Sequence, residues 1–519
     1  MHLSLRSICF SAFIALFFIA CDMHSAYINN AYDANNFQNT YKKTLAAQSD
    51  KTNALLWTMQ EGYLDFAWGG GFYSIPTLDR AEGLFNERVK SGLLVGALEN
   101  VGATLSNDLA IPYTGYFFEG SLLNLYKALA FVQVGDYADA RVEFNRANDR
   151  QRMASDYYAK EIRKAQLKQL KDADKEASKN GETSVVAPST RDKEIVGIIN
   201  KNYSNIFGFE VYKNLINPSV SYLSGLFFLQ VGDYSKSIDL LKEAYGITKA
   251  KTILDDMQLL EDRRLGKDSS HYTWIVIDDG DIVRKASLSI RPLLFTPTGL
   301  VGVSFVLPSM KGKDGKDAFL HYKVDSKNIE VITNLSSLFI SEFKKQLPLI
   351  ITRAMISTIS KLAISQSMTI VGNNQSIPLL SIAGTISTLA FQASSTADTR
   401  SSTFLPNRTL VARIKNSDFN ASDANITGDG RLLLKLHFSS MEDCTPSYFF
   451  ASTTKDRPLT LDEAFKNFKA LKQKERSKIL LNNFKAKKSD TLTLCSKSDN
   501  IVYIRAKNNI TNHFIIKGK

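Results

Sequence analysis

The feature that most constrains this 519-residue chain is a duplicated five-residue stretch, QVGDY, at residues 133–137 and 230–234. Each copy follows an apolar run and precedes a segment whose apolar residues have helical spacing. Small and aromatic residues recur around both copies at matching offsets. They are Ala128, Phe131, Tyr137, Ala140, Phe144 and Ala147 in the first copy, and Gly225, Phe228, Tyr234, Ser237, Leu241 and Ala244 in the second. The pattern predicts two helical hairpins, each turning at a Gly-Asp pair.

This spacing resembles the tetratricopeptide repeat, in which small residues let two helices approach and aromatic residues fill the gap between them. Gly135 and Gly232 are predicted to permit the tight turns, and Tyr137 and Tyr234 to pack back between the helices. The copies lie 97 residues apart, which does not match an uninterrupted array with a period of about 34 residues. A lysine-rich insertion at residues 154–191 is therefore predicted to separate them, as a continued helix and a linker.

Repeats of this kind present a concave binding surface. The first helix of each hairpin would turn mostly apolar residues toward that side. The candidates for such an interaction groove are Leu122, Leu125, Leu129, Val132, Gln133, Tyr222, Leu226, Leu229 and Gln230. The alternative is that neighbouring helices cover these residues, since each block contains only one or two repeats.

The N-terminus has the layout of an export signal. Arg6 precedes an apolar run at residues 8–19, which is too short to be a permanent membrane anchor. Residues 18–21 (FIAC) resemble the lipobox of bacterial lipoproteins, although Phe18 stands where Leu is usual. The resemblance implies cleavage before Cys21 and acylation of that cysteine, which would hold the protein on a membrane. The alternative is an ordinary secretory signal in which Cys21 is incidental.

The remaining cysteines fit an exported protein. Cys9 lies within the signal and Cys21 would carry the lipid, so Cys444 and Cys495 remain as a pair. An oxidising compartment favours a disulfide between them over two thiols.

The net charge of +12 is concentrated near the C-terminus, where residues 441–519 contain 16 Lys or Arg and 8 Asp or Glu. In an exported protein such a region favours contact with anionic lipid or a wall polymer, and not with nucleic acid. A solvated basic surface without a ligand is the alternative.

The chain changes character at about residue 269, where short β-branched or alternating runs replace helical spacing. Strands are predicted at residues 272–277, 286–290, 300–307, 319–324, 410–414 and 432–438. A helical insert at 335–395 interrupts them, with helices predicted at 335–369 and 379–393 and a kink at Pro348. The second helix is shorter than a membrane span of about 20 residues. A buried helical hairpin is therefore favoured over insertion into a bilayer.

The predicted fold class is α+β. A signal peptide at 1–20 and a lipidated linker at 21–51 precede a tetratricopeptide-like α-helical domain at 52–268. A β-rich domain at 269–440 follows and carries the helical-hairpin insert. Residues 441–519 are predicted to be a separate basic C-terminal region.

The sequence presents no catalytic or metal-binding pattern. Its histidines are not spaced as metal ligands, and it contains no G-x-S-x-G motif. A calcium-like loop that begins at Asp423 has Leu434 where a carboxylate should close it, so a hairpin turn at 428–430 is favoured. The basic segment at 311–316 lacks the arrangement of a phosphate-binding loop. We predict a protein that is not an enzyme and has no cofactor and no metal.

Three stretches together resemble an uncharacterised family of Gram-negative bacterial lipoproteins with tetratricopeptide-like helices. They are residues 113–151, the IRPL segment at 290–293, and residues 397–406, where ADTR is followed by Leu405 and Pro406. The resemblance covers about residues 53–414, and Ser402 departs from it because the family has Trp there. It implies location and architecture only, since the family has no established reaction.

These observations favour a noncatalytic, periplasm-facing lipoprotein that is anchored to a bacterial membrane by its acyl chains. Its predicted role is a protein-interaction scaffold for an envelope assembly, secretion or peptidoglycan-synthesis complex, with envelope proteins as partners. One alternative is an envelope enzyme or wall-polymer binder that uses the basic C-terminal region. Another is a membrane-inserting component of a pore or secretion apparatus.

Overall fold

The computed structural model describes residues 25–90, 111–179, 197, 201–207, 212, 214–291, 293–296, 299–302, 304–310, 317–374, 397–419, 423–440, 461–484 and 489–517. Within these residues, helices precede a β-rich part, which confirms the predicted α+β class. None of the helices described is long and apolar enough to cross a membrane. The signal peptide, Cys21, Cys444, the basic segment at 311–316 and the helix predicted at 379–393 lie outside the described residues.

The N-terminal half is helical. Its helices are α1 (25–33), α2 (Phe37–Ala47), α3 (Ala54–Leu64), α4 (Ile75–Lys90), α5 (Phe117–Gln133), α6 (Tyr137–Lys179), α7 (Ser204–Phe207), α8 (Pro218–Gln230), α9 (Tyr234–Thr248) and α10 (Lys251–Arg264). The pairs α5–α6 and α8–α9 are hairpins that contain the two QVGDY stretches, and we call them the first and second copy. The repeat-like helical architecture is thus confirmed in general outline.

The two copies turn in the same way. Gly135 and Gly232 have φ values of 78° and 80°, in the left-handed region that glycine adopts without steric cost. The backbone N–H of Asp136 donates to Phe131 O at 3.0 Å, and that of Asp233 donates to Phe228 O at 2.9 Å. The motif therefore forms a turn between packed helices.

The β-rich part contains two five-stranded sheets and a two-stranded ribbon. Its strands are β1 (Tyr272–Asp279), β2 (Ala286–Ile290), β3 (Leu293–Thr296), β4 (Gly299–Gly302), β5 (Phe305–Ser309), β6 (Tyr322–Val324), β7 (Lys327–Asn328), β8 (Glu330–Asn334), β9 (Arg408–Lys415), β10 (Ala424–Gly428), β11 (Arg431–Ser439), β12 (Thr491–Cys495), β13 (Asn500–Lys507) and β14 (Ile510–Lys517). The first sheet has the order β14-β13-β1-β9-β8, and the second has the order β12-β11-β10-β6-β7.

The last strands of the chain complete both sheets. β13 pairs in parallel with β1, and β12 pairs in parallel with β11, whereas the other pairs are antiparallel. The segment predicted to be a separate basic C-terminal region thus contributes three strands to sheets that begin at Tyr272 and Tyr322. β13 is internal to the first sheet, where hydrogen bonds to two neighbouring strands position it.

The first sheet is the middle of three layers. Alternate residues of a strand face opposite sides of a sheet. Trp274, Val276 and Tyr503 pack among the helices. Ile275 and Val502 face the other way, into the apolar interface with the second sheet. This arrangement places one face of the first sheet against the repeats.

The strands β2 to β5 form one long ribbon. Pairs from Ala286↔Ser309 to Thr296↔Gly299 share a single register, so β3 and β4 continue the hairpin that β2 and β5 begin. In the part of the chain that the structure describes, the ribbon pairs with neither five-stranded sheet.

Two long helices pack side by side near the root of the ribbon. α11 (Leu335–Asn374) is a continuous helix with Pro348 inside it, and it contacts α6 and β5. The lysine-rich continuation of α6 has an apolar face. Its buried residues Ala154, Tyr158, Ile162 and Ala165 recur at helical spacing and cluster with Leu349 of α11. Two further helices, α12 (Leu461–Ala470) and α13 (Gln473–Asn483), precede β12.

Candidate functional site

The concave side of the repeats is filled by the protein's own first sheet. The predicted groove residues Leu122, Leu125, Leu129, Val132, Gln133, Tyr222, Leu226 and Leu229 are buried, and Gln230 is partly buried. On α5, the Tyr126 hydroxyl donates to Asp278 of β1 at 2.8 Å. On α8, the Tyr222 hydroxyl donates to Asp256 of α10 at 2.7 Å. These residues belong to the core and do not line an open peptide groove.

The basic C-terminal segment also contributes to the core. Arg505 and Lys507 on β13 are buried, and Asp281 accepts from them at 3.3 and 2.6 Å. Cys495 at the end of β12 is buried and disulfide-bonded. Cys444 lies outside the described residues, so the pairing of Cys444 with Cys495 stays a prediction.

Two of the three stretches that carry the family resemblance, residues 113–151 and 397–406, meet at one place. Residues 397–403, which we call the strap, lie against α1, α3 and the start of α5. Thr403 Oγ1 is 2.6 Å from Asn29 Oδ1 of α1 and 2.8 Å from Gln60 Oε1 of α3. Because the stretches are far apart in the sequence, only the fold brings them together.

Arg400 is the centre of the strap. Its Nε and Nη2 atoms donate to the two oxygens of Asp398, each at 2.9 Å. Its Nη1 atom donates to Asn53 Oδ1 and to the carbonyl of Ile111, also at 2.9 Å. Burial alone would raise the pKa of Asp398, but the charges of Arg400 and Lys285 outweigh it and hold that pKa well below its usual range.

Glu119 ties the strap to the start of α5. The backbone N–H groups of Ser402 and Tyr116 donate to its carboxylate at 2.8 and 2.9 Å, and the Tyr113 hydroxyl lies 2.7 Å from one of its oxygens. Glu119 is fully buried, and burial raises its pKa despite these donors. Glu119 is the third residue of α5, where a glutamate commonly closes a capping box.

A second buried carboxylate reaches the same helix end from α11. Glu342 accepts from the N–H groups of Phe117 and Phe118 at 2.7 and 3.0 Å, and from the Tyr158 hydroxyl at 2.7 Å. Burial raises the pKa of Glu342 to about 7. The start of α5 is thus capped by one carboxylate from its own first turn and one from another part of the fold.

Two cavities flank Arg400. The larger, about 160 Å³, is the strap cavity, and Arg284, Lys285, Arg400, Asn53, Trp57 and Ser401 are among its lining residues. The smaller, about 60 Å³, lies beside α11 and includes Tyr116, Gln346 and Asp398. Lys285 and Arg400 line both cavities. Lys285 directly precedes the ribbon, so the ribbon is rooted at this site.

The polar groups of this site mostly contact one another, so they hold the strap against α1, α3 and α5. The two cavities beside Arg400 make the site suited to binding as well. Among the described residues, no histidine or cysteine lines either cavity. Across the described ranges, no group of three or more His, Cys, Asp or Glu side chains could hold a metal ion.

The sequence analysis singled out only residues 397–400 of this site, and it did so through the family resemblance and without a role. It did not identify Glu119, although a glutamate three residues after the start of a helix is a signal that could have located it. No local signal identified Glu342, which lies 225 residues from Phe117. No local signal identified Asn53 or Lys285 either, because only the packing of the strap brings them to this site.

Comparisons with known proteins give the chain no relative. No protein-family model matches it, and neither a curated protein nor a solved structure matches it.

Proposed function

We propose that this chain is a noncatalytic, lipid-anchored lipoprotein of the bacterial cell envelope. It acts as a protein-interaction scaffold for an assembly, secretion or peptidoglycan-synthesis complex. The ribbon is the observation that carries this proposal, because among the described residues its strands pair with neither five-stranded sheet.

The composition of the ribbon suits a binding role. Its outer strands have the sequences LLFT and GLVG, and they pair only with each other among the described residues. A two-stranded hairpin is at best marginally stable by itself in water. We propose that these apolar strands contact a partner protein.

The position of Ser25 supports the proposed attachment to a membrane. Ser25 lies four residues after Cys21 in the sequence and lines the strap cavity together with Lys285. Four residues span at most about 14 Å. An acylated Cys21 would therefore hold the ribbon root close to the membrane surface, and the disulfide at Cys495 fits the oxidising side of that membrane.

The test is site-specific photocrosslinking in intact cells. A photoreactive residue replaces Phe295 or Leu300 in the ribbon, and the matched control replaces Leu265, which is 47% exposed after α10. We expect the ribbon positions to give one reproducible adduct with an envelope protein that the control position does not give. Substitution Cys21→Ser should reduce the adduct, because the unacylated chain leaves the membrane.

Two results would oppose the proposal. One is the absence of any ribbon adduct from a protein that is folded and acylated. The other is crosslinking of the ribbon to lipid alone, which would support the membrane-inserting alternative.

A further inference from the structure

We infer that α2 and α13 form a basic face that contacts the surface of an anionic bilayer. The basic face consists of Lys42 and Lys43 of α2 and Lys474 and Lys478 of α13. All four side chains are exposed except that of Lys43, which is partly exposed. α2 contains no acidic residue and α13 contains one, Glu475. Lysines gathered on one surface attract the acidic headgroups of a membrane.

Two hydrogen bonds place the lysines of the two helices side by side. Gln38 of α2 donates to the carbonyl of Leu481 at 2.8 Å. The Tyr41 hydroxyl donates to Ser477 at 3.2 Å. Residue numbers therefore rise along α2 as they fall along α13, so the helices are antiparallel neighbours. Lys42 lies one helical turn after Gln38, on the side of α2 that reaches α13, and the two lysines of α13 are also one turn apart.

An exposed tyrosine adjoins the basic face. Tyr27 of α1 is 62% exposed, and Lys43 Nζ lies 3.1 Å from the centre of its ring. Tyrosine is enriched where a membrane meets water, and lysine side chains reach from apolar surroundings to the polar headgroups. The pairing of Tyr27 with the basic face therefore suits a bilayer surface.

The position of the lipid anchor selects a membrane as the occupant, and this step rests on the proposed function. Tyr27 lies six residues after Cys21 in the sequence. Six residues span at most about 22 Å. Acyl chains on Cys21 would therefore bring the basic face within reach of the headgroups. The anchor would hold the protein on the membrane, and the basic face would orient it there.

The test is photocrosslinking of the acylated protein in lipid vesicles. A photoreactive residue replaces Tyr27, and the matched control replaces Leu320, which is 72% exposed beside the second sheet. The vesicles contain phosphatidylcholine, with or without phosphatidylglycerol. Mass spectrometry measures the lipid adducts at each position and the acyl chains on Cys21.

In the anionic vesicles, we expect at least about fivefold more lipid adducts at Tyr27 than at Leu320. The yield at Tyr27 should fall in neutral vesicles. It should also fall at about 1 M salt, where the screening length is only about 3 Å. The acyl chains hold the protein on the vesicles under all these conditions, so the change reports the basic face and not the anchor.

Charge reversal tests the lysines themselves. Lys42→Glu with Lys478→Glu should lower the adduct yield at Tyr27 about fivefold or more in anionic vesicles. Both side chains are exposed, so the unfolding temperature should stay the same. The control pair Lys242→Glu with Lys267→Glu makes the same change in net charge at exposed positions elsewhere, and it should leave the yield unchanged.

The inference fails if the acylated protein gives no more lipid adducts at Tyr27 than at Leu320, or if the two charge-reversal pairs act alike. Adducts of Tyr27 with a protein in place of lipid, in intact cells, would also overturn it. These results leave the scaffold proposal intact when the ribbon still crosslinks to its partner. Absence of acyl chains on Cys21 would overturn both the basic face as a membrane contact and the proposed lipid anchor.

Discussion

Gln133 and Gln230 occupy the same position in the two copies, at the end of the first helix of each hairpin. Gln133 accepts from the N–H of Phe72 at 2.6 Å and donates to the carbonyl of Ile515 at 2.8 Å. Both polar atoms of the Gln230 side chain are buried and have no partner among the described residues. The glutamine of the motif thus links three elements in the first copy, whereas the glutamine of the second copy makes no such link among the described residues.

The neighbours of the two copies explain this difference. The first copy packs between α4 and the first sheet, and charged groups mediate its contacts with α4. Lys127 donates to Glu82 at 2.6 Å and lies 3.1 Å from Glu143. At the position that corresponds to Lys127, the second copy has Ser224, which accepts from Asn148 of α6 at 2.8 Å.

The first helices of the copies also begin differently. At the start of α5, two backbone N–H groups donate to Glu342 of α11, which is a titratable group. α8 begins after Asn217, whose Oδ1 accepts from the N–H of Ser219 at 3.0 Å, and Thr333 Oγ1 accepts from the same N–H at 2.8 Å. The start of the repeat is therefore capped by a titratable carboxyl group in the first copy and by neutral groups in the second.

The largest effect is expected from Lys127→Met. The substitution removes a buried cation from Glu82 and Glu143, and breaking a buried ion pair typically costs about 3 to 5 kcal/mol of unfolding free energy. Arg146 remains beside both carboxylates, at 3.4 and 2.7 Å, so the lower end of this range is expected. Ser224→Ala, at the matching position, should cost about 1 kcal/mol because it removes one neutral hydrogen bond. Denaturant unfolding of both variants measures the difference.

The double substitution Lys127→Met with Glu143→Leu is a control, since Leu240 stands at the corresponding position of the second copy. It should recover part of the lost stability. Equal losses from Lys127→Met and Ser224→Ala would contradict the contrast between charged and neutral copies.

A pH dependence is expected from Glu342. Its pKa is raised from 4.5 to about 7 in the folded protein, so the folded state holds the proton more tightly than the unfolded state. The stabilisation is complete below about pH 4.5 and is lost as the pH rises through 7, which amounts to about 3 kcal/mol.

Glu342→Gln removes this titration, so the stability of the variant should change less between pH 4.5 and 7 than that of the parent. Unfolding at several pH values measures both slopes. Thr333→Val at the second copy should leave the parent slope unchanged. Parallel pH profiles for Glu342→Gln and the parent would show that Glu342 is not the titrating group.

The third comparison substitutes the two glutamines. Gln133→Leu leaves the Phe72 N–H and the Ile515 carbonyl without their partner, at a cost of about 2 kcal/mol. Gln230→Leu removes an amide that has no partner, so its effect should lie near zero or stabilise by about 1 kcal/mol. Thermal and denaturant unfolding test the opposite signs, and a larger loss from Gln230→Leu would refute the contrast.

The smallest loss of unfolding free energy, and the one most similar between the two copies, is expected from substitutions at the turns. Gly135→Ala and Gly232→Ala each force an L-residue into the left-handed region, at about 1 kcal/mol. A Cβ atom at either position meets no heavy atom within 4 Å, so the cost comes from the backbone alone. Equal shifts in the denaturation midpoint are expected, and a difference of more than about 1 kcal/mol would indicate that the turns are not equivalent.

Parts of the candidate site have a local signal in the sequence and other parts do not. The capping position of Glu119 depends on residues within one helical turn, which the sequence displays. Arg400 and Asp398 are two residues apart, yet their role depends on Asn53 and Ile111, which the strap reaches only in the folded chain. The groove residues were predicted to be apolar and helical, but whether a sheet or a ligand covers them depends on packing.

The sequence by itself determined the α+β class, the two hairpins and their glycine turns, because periodicity and turn chemistry act over a few residues. Tertiary structure alone decided that β13 lies between β14 and β1, that the first sheet fills the concave side of the repeats, and that Glu342 caps α5. These contacts join segments hundreds of residues apart. Local patterns show that a face must be buried, whereas the partner that buries it is chosen by the packing of the whole chain.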